Sequence, residues 1–192
     1  MAVVTLDPNA DRTANWTPKG AGLNNVEVDE GVDAHDSGNT ENTTGGNNNS
    51  DILELDATPG DFDVAIDYKI RIVIKESGRI DDAPAIHTRI TDVSSAIDGN
   101  EDDFALTGVT TYTVKEGTVR TNTDAKSAWD GYEVRYQFHT HASGMPDGTT
   151  AFVTAVEVVV NYDVAVAGQP TMHRTQGIPF APGRRDRIGR LN

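Results

Sequence analysis

The chain has 192 residues and a mass of 20.6 kDa, enough for one hydrophobic core with an appendage and too little for two independent cores. Valine, isoleucine and threonine number 19, 11 and 22 against 6 leucines, which disfavours a helical bundle, because β-branched side chains lose rotamer freedom in helices and pack well on sheets. A formal charge of -14 opposes binding of the whole molecule to nucleic-acid phosphates or anionic membranes, and the absence of cysteine removes disulfide scaffolds, thiolate metal sites and cysteine nucleophiles.

Residues 7 to 50 are rich in Asn, Asp, Gly and Thr and end in Thr43-Thr44-Gly45-Gly46-Asn47-Asn48-Asn49-Ser50. Too few apolar side chains are present to hold a packed structure, so long polar loops are expected, with short strands near Leu23 to Asp29 and a flexible surface loop over roughly 36 to 50. From Asp51 the pattern sharpens. Leu53 and Leu55 alternate with polar neighbours, and Thr58-Pro59-Gly60-Asp61 reads as a turn.

From Ala65 to Lys75, Ile66, Tyr68, Ile70, Ile72 and Ile74 share one face while Asp67, Lys69, Arg71 and Lys75 share the other, the mark of a half-buried strand. The same alternation sets Ile86, Thr88 and Ile90 against His87, Arg89 and Thr91. It predicts an inward set of Thr110, Tyr112 and Val114, and another of Tyr132, Val134, Tyr136 and Phe138 opposed to Glu133, Arg135, Gln137 and His139. A last strand carries Phe152, Val156, Val158, Val160 and Tyr162 on one face, and Asp124 to Trp129 reads as a single helical turn. About eight strands with no crossover helix predict an all-β fold: an antiparallel β-sandwich of jelly-roll type over residues 1–168, with long polar loops in 7–50.

Residues 169–192 read as an extended basic C-terminal arm. From His173 onward Arg174, Arg184, Arg185, Arg187 and Arg190 face one acid, Asp186, for a net +4, which leaves 11 basic and 29 acidic residues, net -18, on residues 1 to 172. Prolines 179 and 182 and glycines 177, 183 and 189 argue against a helix. Five guanidiniums suit bidentate contacts to a partner's carboxylates, with Ile178, Phe180, Ile188 and Leu191 as spaced apolar pegs.

No enzyme signature is present: no Gly-x-Ser-x-Gly elbow, no phosphate-binding Gly-rich loop and no His-Glu-x-x-His zinc helix, so no catalytic residue and no cofactor is assigned. His139 and His141 lie two apart on a strand and could share a metal, but their face reads better as solvent or interface surface, and they are kept with Trp16 as ligand contacts. Asp7-x-Asn9-x-Asp11 and Asp98-x-Asn100-x-Asp102 have the ligand spacing of calcium loops without the later glycine and glutamate, and read better as acidic turns, so no metal ligand is assigned. Tyr68, Tyr132, Tyr136 and Tyr162 fall on inward faces, which leaves Trp16, in a polar loop, as the aromatic available to a sugar.

The run Asn15-Trp16-Thr17-Pro18-x-Gly20, then Val28-Asp29-Glu30-Gly31, an Asn/Thr loop, Leu53-x-Leu55, Pro59-Gly60-Asp61-Phe62 and the strand 65 to 75 resembles β-sandwich proteins found among tailed-bacteriophage structural genes. The likeness continues through the Asp124 to Trp129 turn into strand 132 to 138 and covers roughly residues 7 to 165. It implies a carbohydrate-binding-module-like jelly roll on a virion, assembled in the host cytoplasm as a capsid decoration (cement) protein, head fibre or tail component. The expected partners are the major capsid or another virion protein and further copies of the chain. A glycan-binding module for host attachment is the alternative. No membrane partner is expected, since no run approaches about 18 apolar residues and Met1 to Asp7 lack the features of a signal peptide.

Overall fold

A computed structural model describes residues 1–18, 28, 31–34, 39–42, 50–77, 84–92, 101–139 and 150–165, the side chains of Asn42 and His139 excepted. In chain order the elements are β1 (Ala2–Leu6), β2 (Pro8–Thr13), β3 (Thr17–Pro18), β4 (Thr40–Asn42), β5 (Ser50–Leu55) and β6 (Phe62–Ser77). There follow β7 (Ala85–Thr91), β8 (Asp102–Ala105), β9 (Thr113–Glu116), β10 (Arg120–Thr121), α1 (Lys126–Trp129), β11 (Glu133–His139) and β12 (Thr150–Val164). They form two antiparallel sheets packed face to face, the sandwich that the β-branched composition calls for. Among the described residues twelve strands stand where alternation predicts about eight, and five of them, β3, β4, β8, β9 and β10, are only two to four residues long, too short for alternation to mark.

The first sheet is built on the long antiparallel pair β6–β12. Each long strand carries two short ones on its outer edge: β9 and β10 beside β6, β1 and β4 beside β12, with β3 beyond β4. The second sheet runs β2-β5-β11-β7-β8. Most connections pass from one sheet to the other, as in a jelly roll. The first does so within a residue, β1 giving way to β2 across Asp7, whose carbonyl accepts from the Asp56 N–H at 2.9 Å. At the predicted turn, the Phe62 N–H donates to Pro59 O at 3.1 Å.

Tyr68, Ile70, Ile72 and Ile74 pack with Val156, Val158 and Val160 from their own sheet and with Leu53, Ile86, Ile90, Val134, Tyr136 and Phe138 from the other. All are at most 2 % exposed, and each contributes roughly 1.5–3 kcal/mol on leaving water. Tyr132 and Tyr162 are buried as their alternation predicts. The Trp129 side chain, on α1, is fully enclosed between Phe62, Tyr68 and Tyr132.

Two β-bulges change the expected faces. Val153 pairs with Ile74 but Ala155 pairs with Val73, so Thr154 is an extra residue and the inward parity of β12 switches there from odd to even. Phe152 therefore does not join Val156 in the core; it lies half-buried on the outer face with the Lys75 ammonium 5.5 Å from its ring. On β6, Asp67 pairs with Asn161 and Ala65 with Tyr162, which leaves Ile66 as the extra residue and puts Ala65, not Ile66, in the core.

The set Thr110, Tyr112 and Val114 also differs from expectation. Register places Val114 opposite Val73 on the outer face, where it is 38 % exposed. Tyr112 packs on the same face with Val73, Ala155 and Val32. Within the loop expected over 36 to 50, Thr40 to Asn42 is a strand, held by the β12 ladder and by a buried 3.0 Å contact between the Thr40 and Tyr136 hydroxyls. Of the strand expected at 23 to 29, Val28 alone is described, and it is buried. The arm 169–192 lies outside the described residues.

Candidate functional site

The outer face of the second sheet gathers the polar side chains that alternation assigned to it, in an arrangement richer than a solvated surface. Register puts Arg135 of β11 opposite Arg89 of β7, and Glu133 of β11 opposite Glu54 of β5. Like charges directly opposed across a ladder repel, so each pair needs a counter-ion.

Glu101 serves the arginines. One of its carboxylate oxygens lies 3.0 Å from Arg89 Nη1 and 3.8 Å from Arg135 Nη1. The other is 3.3 Å from His87 Nδ1, while His87 Nε2 is 3.2 Å from Asp103. Burial pushes the Arg135 guanidinium below its ordinary value, Arg89 pushes the same way, and Glu101 opposes them. Gln137 accepts from Arg135 and is itself buried.

Arg12 of β2 serves the acidic pair, donating from Nη1 to Glu133 Oε1 at 2.7 Å. Glu133 is 3 % exposed, and its second oxygen accepts from the Thr91 hydroxyl at 3.4 Å. The Glu54 side chain is exposed and has no hydrogen bond or ion pair among the described residues. Beside these groups opens a pocket of about 200 Å³, with Leu55 and Tyr132 as walls, Glu54, Glu133 and Asp130 as carboxylates, and Arg12 at its rim. Asp130 Oδ1 accepts from the Thr58 N–H at 2.9 Å, the Thr58 hydroxyl at 2.6 Å and Lys126 Nζ at 3.2 Å. Burial would raise the Asp130 carboxyl, but these donors outweigh it and hold the group below its ordinary value. The pocket offers carboxylates beside the edges of Leu55 and Tyr132.

On the outer face of the first sheet a single guanidinium organises the surface. Arg71 donates to Glu157 at 2.5 Å, Asp33 at 2.8 Å and Glu116 at 3.0 Å, and Glu157 accepts from the Val32 N–H at 3.0 Å. These bonds strap residues 31–34 over Val73 and Ala155. The Asp33 bond is the largest cause raising the Arg71 guanidinium, and the same bond lowers the Asp33 carboxyl.

Trp16 is not a surface contact. It is 3 % exposed, edge-on to Tyr136 at 5.1 Å and to Phe138 at 6.4 Å, because its backbone N–H donates to the buried Asp51 and draws the ring inward. The backbone of His139 ends β11 beside Ala85; its side chain, and all of His141, lie outside the described residues. So do Arg174, Ile178, Phe180, Arg184, Arg185, Arg187, Ile188, Arg190 and Leu191.

In the calcium-like spacings, Asn9 Nδ2 donates to Leu55 O at 3.0 Å and Asp102 accepts from Arg120 Nη2 at 2.8 Å. Among the described residues no three His, Cys, Asp or Glu side chains are grouped to hold a metal ion, and no helix is long and apolar enough to cross a membrane. The residues that sequence reasoning missed are Arg12, Glu54 and Asp130: the alternation of β5 and β11 puts Glu54 and Glu133 outward, but nothing local places Arg12 against them. A scan against protein-family models finds no match, and no curated protein matches the sequence.

Proposed function

We propose that the chain is a non-enzymatic structural protein of a tailed-phage virion, a capsid decoration or cement protein that docks on the particle as a homo-oligomer and stabilises it or displays a surface domain. The observation that carries this reading is the division of charge, 11 basic and 29 acidic residues on 1–172 against 5 basic and 1 acidic on 173–192. An acidic sandwich joined to a cationic segment gains from a partner that offers carboxylates, or from other copies of itself, and gains little from a phosphate polymer that its body repels. The resemblance over residues 7 to 165 points to the same setting. The glycan-binding alternative has lost its aromatic platform, since Trp16 is a core residue.

Deleting residues 173–192 tests the proposal. The truncated chain is expected to keep the circular dichroism and melting behaviour of the sandwich and to be absent from purified particles. A truncated chain that decorates particles at the full-length level overturns it. A glycan-binding module would keep its ligand after the same deletion, which a glycan array reads directly.

A further inference from the structure

The margin of a β-sheet offers unpaired N–H and C=O groups to any passing strand, and proteins guard such margins with charge, proline or bulges. Most described margins of this sandwich are guarded. β2 opens on Pro8, carries Asp11 and Arg12 and slips register twice; β3 is two residues long and includes Pro18. β8 has Asp102 and Asp103, β9 has Lys115 and Glu116, and β10 has Arg120.

β1 has none of these devices. It pairs with β12 in unbroken register, from Ala2 opposite Tyr162 to Leu6 opposite Val158, and among the described residues no strand and no hydrogen bond meets its far side. Ala2-Val3-Val4-Thr5-Leu6 holds no charge and no proline, and three of the five are β-branched. Ala2 and Val4 pack on the core, while Val3 stands 61 % exposed on the outer face with Thr5 exposed beside it.

The neutral margin is two strands deep. The β12 partners, Val158 to Tyr162, are also uncharged, and the first charged side chains level with β1 are Asp67 and Lys69 on β6. Three strand spacings, about 14 Å, separate them from a strand added beyond β1, more than a Debye length at physiological salt. The like charge of two acidic bodies, which opposes contact over the rest of the surface, is therefore screened at this margin.

We propose that β1 pairs antiparallel with β1 of a second copy of the chain, joining the two first sheets across a two-fold axis. The second copy supplies the matching strand: among the described edges only another β1 lacks charge, proline and register slips, so pairing β1 with any other margin sets a guard against the seam. Directly opposed residues share a face, so full overlap puts Val4 opposite its own counterpart, Val3 opposite Thr5 of the second copy on the outer face, and Ala2 opposite its Leu6 on the inner.

The cysteine-free sequence makes disulfide trapping a clean test of that register. One full-length chain carries Val3→Cys and another Thr5→Cys. Mixed and oxidised, they are expected to give a disulfide-linked heterodimer roughly fivefold more abundant than either homodimer, because opposed Cβ atoms lie about 5 Å apart and the diagonal pairs about 7 Å. A heterodimer no more abundant than that of Thr5→Cys with Val119→Cys, an equally exposed valine outside β1, overturns the proposal.

Sedimentation equilibrium gives a second readout. The unaltered chain is expected to dimerise, and Val3→Lys with Thr5→Lys, both at exposed positions, should weaken the dimer at least roughly tenfold by setting lysine opposite lysine while the circular dichroism of the sandwich is kept. Should the double variant fail to fold, Val3→Lys alone carries the same test. An unaltered chain that stays monomeric at roughly 1 mM, or a lysine variant that dimerises as well as the unaltered chain, overturns the pairing.

The pairing names how copies meet in the proposed homo-oligomer but rests on the strand edge alone. A trapped heterodimer together with normal decoration after deletion of 173–192 leaves the β1 seam standing and removes the anchor, whereas decoration lost on deletion with no trapped heterodimer does the reverse.

Discussion

The carboxylate of Asp51 accepts a 2.8 Å hydrogen bond from the phenol of Tyr136, with both side chains completely shut off from solvent. The same carboxylate takes the backbone N–H groups of Asn15 at 2.6 Å and Trp16 at 2.9 Å, where the chain crosses from β2 to β3. One acid thus seals one margin of the sandwich and fixes the entry of Trp16 into the core. Burial, reinforced by Asp51, holds the Tyr136 phenol well above its ordinary value.

Removing that acid strands two backbone donors and a phenol. Asp51→Ala is expected to lower the unfolding free energy by about 2–4 kcal/mol, and Tyr136→Phe, which deletes the phenol's bonds to Asp51 and Thr40 but leaves the two backbone donors satisfied, by about 1–3 kcal/mol. Urea titrations of the two variants check the order. A larger loss for Tyr136→Phe would show that the carboxylate is not the hub.

Trp16→Ala removes a ring packed edge-on against Tyr136 and Phe138, and is expected to cost about 3–5 kcal/mol. Because Trp16 and Trp129 are 3 % and 0 % exposed, the native emission should be blue-shifted and insensitive to iodide. Strong iodide quenching of the folded protein would mean that one of the rings is at the surface.

The opposite margin depends on Asp102 of β8, which accepts from Arg120 Nη2 of β10 at 2.8 Å and from the Thr118 N–H at 3.1 Å. A Cβ at Gly117 would fall 2.3 Å from Asp102 Oδ2 and 3.2 Å from the Ile70 carbonyl. Gly117→Ala is therefore expected to expel the carboxylate and cost about 1–3 kcal/mol. With Asp102→Ala the two losses should be clearly less than additive, since both break the same bonds; strict additivity in a double-mutant cycle would refute the link.

Glu76, 5 % exposed, has one carboxylate oxygen with no partner among the described residues. Burial raises its carboxyl above the ordinary 4.5, against a lowering bond from the Gly108 N–H. A raised folded-state value means that the folded protein holds this proton more tightly than the unfolded chain. The stabilisation is complete below pH 4.5 and is lost as pH rises through the folded-state value. Glu76→Gln, neutral throughout, should flatten that slope and raise the melting temperature at pH 7 by about 2–4 °C, equivalent to about 1 kcal/mol. Equal shifts at pH 4 and pH 7 would count against it.

The long strands were legible because β6 from Tyr68 to Ile74, β7 and β11 keep their alternation, and Tyr68, Ile86 and Val134 sit where it puts them. The bulges at Ile66 and Thr154 were not, because an extra residue reverses parity without altering composition; Phe152 followed the wrong face for that reason. The strand at Thr40 to Asn42 carries no alternation of its own and exists through the β12 ladder. Trp16 misled because its neighbours are polar, while what pulls it inward, Asp51, lies 35 residues away. The acidic pocket required Glu54 and Glu133 to be paired in register, which only the β5–β11 ladder supplies.

Ala2 pairs with Tyr162, so the earliest strand described here completes its ladder on the latest one. During vectorial synthesis on a ribosome, β1 and β6 must therefore wait for β12 to emerge, and the central edge of β6 stays open until then. Such a topology belongs to the slow class of high contact order. Its nascent chain carries the aggregation risk of unpaired edges, so the yield of native protein should depend more on chaperone supply and translation speed than on the stability of the finished sandwich.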